Sequence, residues 1–280
     1  MRRGDGPAVG RVSGPRSSFT VKKVLVALSS LISDAQERGL VAINAVRDMR
    51  ARRVRGLETR AEKRQRGKLK VGVDIPSPEE IRSLIGNLRG RWRPILLTAI
   101  FTGLRSSELR GLRWGDVDFK KSEVHVRQRV DRFGEMGAPK SAAGERALPV
   151  PPSLVSALKE WRLACPLGEL DLVFPTSTGR PLGHGDVVDR GLLPTLVAAG
   201  VVDREGRAKY GGLHALRHFY ASWCINRKTD GGLELPPKVV QTRLGHSTIA
   251  MTLDVYGHLF PSGDDGAELA AAETLLLSGG

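Results

Sequence analysis

The chain has 280 residues, 40% of them apolar, which suffices for one large domain or two small ones. Residues 1–70 hold 18 basic and 6 acidic side chains, a net of +12, whereas the rest of the chain holds 26 and 24, a net of only +2. This basic arm favours a nucleic-acid partner, and the alternative is a solvated arm that only aids solubility. The sequence contains no membrane-spanning run and no h-region of a signal peptide, and its two cysteines do not have the spacing of metal ligands.

The N-terminal part of the chain divides into three segments by composition. Residues 1–19 are rich in Gly, Pro, Ser and Arg, and we expect them to be disordered. Residues 20–49 repeat apolar side chains at helical spacing, and Gly39 marks a break between two helices. Residues 50–74 form a charge-dense basic linker with few large apolar side chains.

The second region, residues 75–262, is predicted to be mainly α with a small antiparallel β-sheet, an α+β fold. Ser77 and Glu80 have the spacing of a capping box, and RPILLTAIFTG reads as a buried helix that ends at Gly103. EVHVRQRV alternates as a strand does, and ERALPV offers it a partner across a loop containing APKSAAG. Further helices are predicted near 153–162, 185–198, 213–227, 237–244 and 248–256, followed by an Ala/Leu-rich tail helix within 263–280.

The stretch GGLHALRHFYASW places His214, Arg217 and His218 on one helix face. Such a face is most often simply solvated. A zinc site would be the alternative, with His246 as a third ligand. Ala215 stands where a zinc protease carries its general-base glutamate, and Arg217 would set a positive charge beside the metal, so the pattern disfavours zinc.

Two further cations stand in unusual positions. Arg105 lies in the turn between two apolar helices, where Glu108 could be its structural partner or its guanidinium could grip a phosphate. Lys140 lies in a glycine- and alanine-containing loop, where a lysine is ordinarily solvated, although the loop would let it reach over a neighbouring site.

Together these residue types suit phosphodiester chemistry. Arginines can neutralise the non-bridging oxygens, histidines can move protons, lysine can protonate a departing sugar oxygen, and tyrosine can attack phosphorus. The chain holds only three tyrosines, and Tyr256 stands near its C-terminus, ten residues after His246. No clustered carboxylates suggest a catalytic Mg²⁺, so we expect no metal and no cofactor.

Four motifs in order resemble the tyrosine recombinases, the phage-integrase family of site-specific DNA recombinases, over about residues 75–262. They are TGLRSSELRGLRW, PKSAAGERALPV, LHALRHFYAS and LGHSTIAMTLDVYGH. The resemblance implies six catalytic residues: Arg105, Lys140, His214, Arg217, His246 and Tyr256.

The resemblance also implies a mechanism and an assembly. Tyr256 would attack the scissile phosphate to leave a 3′-phosphotyrosyl bond, Lys140 would protonate the 5′-oxygen that leaves, and strands would exchange through a Holliday junction. It implies double-stranded DNA as partner, a homotetramer on DNA joined by the C-terminal tail, a DNA-bending or excisionase accessory protein, and a prokaryotic cytoplasm with its nucleoid as location. The tail could also fold onto its own domain.

The resemblance has gaps that leave other functions open. Residues 20–49 resemble only the end of the family's helical core-binding domain, with Ala45 in place of a usual proline, so we expect a partial core-binding region. Gly144 stands where many relatives carry serine. The alternatives are a non-recombining DNA-binding remnant of an integrase, a type IB topoisomerase-like activity and, least favoured, a zinc hydrolase.

Overall fold

The structure, a computed structural model, describes residues 18–54, 68–261 and 265–278. The chain divides into two compact units, Met1–Arg66 and Gly67–Gly280. Nearly all of the predicted disordered segment 1–19 and the middle of the predicted linker 50–74 lie outside the described residues. Within the described part of the chain, no helix combines the length and apolar character that crossing a membrane requires.

The first unit contains the two helices predicted on either side of Gly39. Helix α1 spans Ser18–Glu37 and α2 spans Ala45–Val54, so α2 continues into the predicted linker. Gly39 adopts a φ of 71°, the left-handed conformation that commonly ends a helix. Asn44 caps α2, because its side-chain oxygen accepts from the Arg47 amide at 3.1 Å while its Nδ2 donates to the Ser29 carbonyl at 2.8 Å.

The second unit is mainly helical, which confirms the predicted fold class. Its helices are α3 (Pro78–Asn87), α4 (Trp92–Thr102), α5 (Ser106–Arg110), α6 (Pro152–Ala164), α7 (Leu193–Ala198), α8 (His214–Ile225), α9 (Pro237–Leu244), α10 (Ile249–Tyr256) and α11 (Asp265–Ser278). Ser77 and Glu80 form the predicted capping box at the start of α3. A single helix was predicted over 185–198, but the segment Asp186–Leu192 is π-helical and only then continues as α7.

A small antiparallel sheet lies between the helices. Its strands β1 (Val117–Asp118), β2 (Glu123–Val126) and β5 (Arg146–Pro149) stand in that order, while β3 (Arg129–Val130) and β4 (Met136–Gly137) form a separate hairpin. The predicted pairing of β2 with β5 is confirmed. In this register Val124 faces Leu148 and Val126 faces Arg146, so the inward side of β5 carries one leucine and one arginine.

Two apolar clusters hold the second unit together. The larger one joins α3, α4, α6 and the sheet. The smaller one joins α8, α9 and α10 through Tyr220, Cys224, Val240, Leu244 and Tyr256. This smaller cluster fixes α9 and α10 against α8, which places Tyr256 beside the segment that carries His214 and Arg217.

The turn between α4 and α5 depends on Gly103. Its φ is 60°, and a Cβ there would stand 2.4 Å from the Cδ1 atom of Tyr220 on α8. Both the backbone conformation and the close approach therefore require glycine.

Gly103→Ala should lower the free energy of unfolding by about 3 kcal/mol, since the left-handed conformation costs about 1–2 kcal/mol and the overpacking against Tyr220 adds about 1–3 kcal/mol. Gly90→Ala is the matched control, because Gly90 has a φ of 53° with no atom within 4 Å of the added Cβ. Urea unfolding of both variants checks the difference. Equal losses for the two variants would contradict the role given to Tyr220.

Candidate active site

The N-terminal end of α8 carries three polar side chains that face α9 and α10. His214 begins the helix, and Arg217 and His218 follow one turn later. The rings of His214 and His218 meet edge to face with their centroids 4.6 Å apart. The described residues contain no group of three or more His, Cys, Asp or Glu side chains that could hold a metal ion, so nothing there supports the zinc alternative.

Arg217 is the buried anchor of this end of α8. Its side chain is buried, and its guanidinium donates to the carbonyl of Gly103 at 2.7 Å and to the carbonyl of Leu244. These bonds tie the α4–α5 turn to the end of α9. A buried guanidinium with two backbone acceptors keeps further N–H donors for an anion.

Arg105, at the start of α5, shares a buried carboxylate with a second arginine. Glu108 accepts from the Arg105 amide at 2.9 Å, from Arg105 Nη1 at 2.7 Å and from Arg146 Nη2 at 2.9 Å. Arg105 Nη2 also donates to the carbonyl of Gly245 at 3.0 Å. Burial would raise the pKa of Glu108, but Arg146 and Arg105 hold it below its ordinary value. Arg105 can therefore be both the structural partner of Glu108 and a phosphate-binding group, because it pairs with Glu108 yet 37% of its side chain remains exposed.

The turn between α9 and α10 presents His246. Gly245 ends α9 with a φ of 62°, a left-handed conformation that favours glycine, and a Cβ there would stand 3.0 Å from the carbonyl oxygen of Ala143. His246 is buried, and its Nδ1 shares a hydrogen bond of 3.0 Å with the hydroxyl of Thr252 on α10. That bond leaves Nε2 as the ring nitrogen available to the pocket.

Tyr256, the last residue of α10, points into this group of side chains. It is only 2% exposed, and its hydroxyl forms a 2.7 Å hydrogen bond with Nδ1 of His218. Its ring lies nearly parallel to that of His246, with the centroids 6.4 Å apart. The phenol of Tyr256 therefore lies between His218 on α8 and His246 in the α9–α10 turn.

One pocket of about 420 Å³ collects these residues, which we call the tyrosine pocket. Five of the six site residues predicted from the sequence line it: Arg105, His214, Arg217, His246 and Tyr256. His218 and Asp254 line it as well. Lys140 does not line it. The exposed Lys140 instead lines an adjoining pocket of about 290 Å³ that shares Arg105 and Met251 with the first.

The protonation states of the pocket follow from burial and from its arginines. Burial and the neighbouring Arg105 lower the pKa of Arg217 to about 10, so it remains a cation at neutral pH. Burial, Arg217 and Arg105 lower the pKa of His246 to about 4, so its imidazole is neutral there. Partial burial and the same two arginines also lower the pKa of His214. Burial raises the pKa of Tyr256 to about 12 although the arginines oppose the shift, so the phenol carries its proton.

Sequence reasoning gave no role to two residues of the site. Arg146 was read only as part of a strand, although strand alternation puts it on the inward face beside Leu148, where a guanidinium is unusual. Helical spacing places His218 on one face with His214 and Arg217, but the family resemblance gives it no role. Its contact with Tyr256 joins residues 38 positions apart, which helical spacing alone cannot predict.

Comparison with known proteins assigns the fold and the family. The chain is 31% identical over 219 residues to a tyrosine recombinase XerC-like protein of Caldanaerobacter subterraneus subsp. tengcongensis, covering 69% of this chain and 52% of that protein. It is 29% identical over 243 residues to tyrosine recombinase XerC of Xylella fastidiosa (strain 9a5c), covering 87% and 71%. The chain thus spans about half the length of the first relative and under three quarters of the second.

Solved structures show the same fold at lower identity. The Tn1549 transposon integrase in complex with a circular intermediate DNA superposes with a TM-score of 0.66 at 21% identity, over 93% of this chain and 80% of that one. A lambda integrase dimer bound to a COC′ core site gives 0.55 at 18% identity, over 84% and 58%. The family profile described as the phage integrase family matches residues 77–262. The predicted family is confirmed: the chain belongs to the phage integrase family of tyrosine recombinases.

Proposed function

We propose that this chain is a site-specific DNA recombinase that cleaves and rejoins DNA through a covalent 3′-phosphotyrosyl intermediate. The observation that carries the proposal is the tyrosine pocket, in which one phenol stands among two arginines and the histidines. Family membership supports it.

The pocket suits a phosphodiester because of its charge and its donors. Arg105 and Arg217 supply guanidinium N–H groups for the two non-bridging oxygens, whose charge grows as the phosphorus becomes five-coordinate. Neutral His214 and His246 donate hydrogen bonds to the same oxygens. Glu108 and the carbonyls of Gly103, Leu244 and Gly245 hold the two guanidiniums before the substrate arrives.

The reaction conserves the energy of the ester. The Tyr256 hydroxyl gives its proton to a base of the pocket as its oxygen bonds to phosphorus, the bond from phosphorus to the 5′-oxygen breaks, and Lys140 gives that oxygen a proton. A 5′-hydroxyl of a partner strand then attacks the phosphotyrosine and gives its proton to Lys140, while the base returns the first proton to the departing phenolic oxygen. Each step exchanges one phosphodiester for another, so no nucleotide cofactor or metal enters the scheme.

Double-stranded DNA is the partner we propose. The net charge of +12 over residues 1–70 supplies a sequence-independent attraction to it. The structural relatives named above include complexes with DNA. We propose the nucleoid of a prokaryotic cytoplasm as the location of the chain and a DNA-bending or excisionase protein as its accessory.

We further propose a homotetramer on DNA with α11 as the contact between copies. Four leucines of this helix are largely exposed: Leu269, Leu275, Leu276 and Leu277. Exposed apolar side chains clustered near one end of a helix suit a protein partner.

The proposal is tested with a labelled pool of nicked duplexes of random sequence around the nick. Cleavage beside the nick releases a short oligonucleotide, so the covalent protein–DNA adduct accumulates and its sequences define the site. We expect an adduct that survives boiling in detergent and is destroyed by protease. If no adduct formed, the remaining interpretation would be a non-recombining DNA-binding remnant of an integrase. Site-independent relaxation of a plasmid by a monomer would instead indicate a type IB topoisomerase.

Lys140→Ala should slow adduct formation by about 100-fold or more, because the 5′-oxygen would leave without a proton. A duplex with a bridging 5′-sulfur at the scissile position is the matched substrate, since a thiolate leaves without protonation. The variant should cleave that duplex within about threefold of the wild-type rate on the same duplex. An equal defect on both duplexes would assign Lys140 to DNA binding rather than to proton donation.

A further inference from the structure

The tyrosine pocket contains one histidine to which the family resemblance gives no role. His218 follows Arg217 on α8, and its Nδ1 lies 2.7 Å from the hydroxyl of Tyr256. Its ring also contacts the Tyr256 ring, with the centroids 5.7 Å apart at an angle of 62°. His218 therefore stands between His214 and the phenol and touches the atom that would attack phosphorus.

The direction of this hydrogen bond follows from the neighbours of the phenol. Arg105 and Arg217 carry only N–H donors, so they can approach the phenolic oxygen but cannot accept its proton. Among the described residues, Nδ1 of His218 is the hydrogen-bond partner of the hydroxyl. The hydroxyl thus donates to Nδ1 of His218, whose own proton is then on Nε2.

We propose that His218 is a catalytic residue of this recombinase, the base that accepts the phenolic proton of Tyr256 during strand cleavage and returns it during rejoining. The inference rests on the proposed function. As the bond from the Tyr256 oxygen to phosphorus forms and the bond to the 5′-oxygen breaks, the phenolic proton moves to Nδ1 of His218 and Lys140 gives its proton to the leaving oxygen. Rejoining reverses both transfers, so the pocket ends in its starting protonation state.

The surroundings of His218 keep it ready for this role. Burial, His214 and Arg217 lower its pKa to about 4, and Asp74 opposes the shift, so the ring is neutral at neutral pH. With its one proton on Nε2, as the hydrogen bond from the phenol requires, Nδ1 is free to accept. A scissile phosphate between Arg105 and Arg217 would bring negative charge beside the ring. That charge offsets the arginines and raises the proton affinity of His218 when substrate is bound.

The first test compares cleavage rates on the duplexes recovered from the random pool. His218→Asn keeps a polar group near the position of Nδ1 but removes the basic nitrogen, and we expect adduct formation to slow by about 100-fold to 10,000-fold with unchanged DNA binding. His258→Asn is the matched control, since His258 bonds to the carbonyl of Leu69 and does not line the pocket, and it should keep the wild-type rate. A wild-type or faster rate for His218→Asn would overturn the proposal.

Asp254 is the rival acceptor, because its carboxylate also lines the pocket. We expect Asp254→Asn to slow cleavage far less than His218→Asn does. The opposite order would transfer the role of base to Asp254 and overturn the proposal.

A second test separates proton acceptance from packing. A polyfluorinated tyrosine introduced at position 256 has a more acidic phenol and depends less on a base. The rate defect of His218→Asn should shrink at least tenfold in that background. A defect of unchanged size would mean that His218 only supports the structure.

A third test needs no substitution. Nitrogen chemical shifts of the wild-type imidazoles should show Nδ1 of His218 without a proton and Nε2 with one at neutral pH. A proton on Nδ1 would overturn the proposal. Wild-type chain that forms no adduct at all would defeat the proposed function itself, whereas wild-type cleavage with an unaffected His218→Asn variant would defeat this inference alone.

Discussion

Tyr256→Phe should reduce the covalent protein–DNA adduct to background while leaving the affinity for DNA nearly unchanged. The substitution removes the one oxygen that the scheme uses as nucleophile and keeps the ring that packs in the cluster of α8, α9 and α10. The lost hydrogen bond to His218 should lower the free energy of unfolding by about 1 kcal/mol, so we expect the variant to remain folded. Adduct formation on a nicked duplex and a parallel gel-shift titration check both parts.

The other two tyrosines of the chain are the matched controls. Tyr220 is as buried as Tyr256 but lies outside the tyrosine pocket, and Tyr210 bonds to Glu80 in another part of the unit. Tyr220→Phe and Tyr210→Phe should both retain the adduct. An adduct that survives in Tyr256→Phe, or that disappears in either control, would contradict the assignment of the nucleophile.

Glu108→Gln should destabilise the second unit by about 3–5 kcal/mol and abolish cleavage. Glu108 is buried and is the carboxylate that balances Arg105 and the almost fully buried Arg146. Glutamine has nearly the same shape, but it is neutral and turns an N–H donor toward guanidinium donors. The Arg146 charge would then be buried without a compensating carboxylate, and Arg105 would lose the acceptor that orients its guanidinium. Urea unfolding and the adduct assay measure the two effects.

Glu160→Gln is the control for this substitution. Glu160 pairs with Arg93 at 3.1 Å, but its side chain is 71% exposed, so solvent screens the pair. Its loss should change stability by less than about 1 kcal/mol and leave cleavage intact. If Glu108→Gln were as mild as Glu160→Gln, the Arg105–Glu108–Arg146 group would not be the support of the site.

Local signals predicted most of the helices. The capping box of Ser77 and Glu80 starts α3, and Gly103 ends α4, because helix ends are decided by neighbouring residues and by positive φ. The segment before α7 shows the limit of this reasoning. Periodicity predicts a helix over 185–198 but does not distinguish a π-helical register from an α-helical one.

For the site too, the sequence predicts features that depend on local motifs but not the contacts between distant parts of the chain. The motif resemblance supplied six residues, and the structure brings five of them to one pocket with Lys140 beside it. Spacing pointed to Glu108 as a partner of Arg105, but the partners that lie far apart in the chain could not be read from it. The contact of His218 with Tyr256 depends on how α10 packs against α8, and that of Arg146 with Glu108 depends on strand register.

The most direct measurement is mass spectrometry of the peptide that stays attached to DNA after protease digestion of the trapped adduct. The proposed chemistry requires the oligonucleotide to be joined through its 3′-phosphate to the oxygen of Tyr256, within the peptide that contains LDVYGHLF. Attachment at a serine, at another tyrosine or through a 5′-phosphate would contradict it.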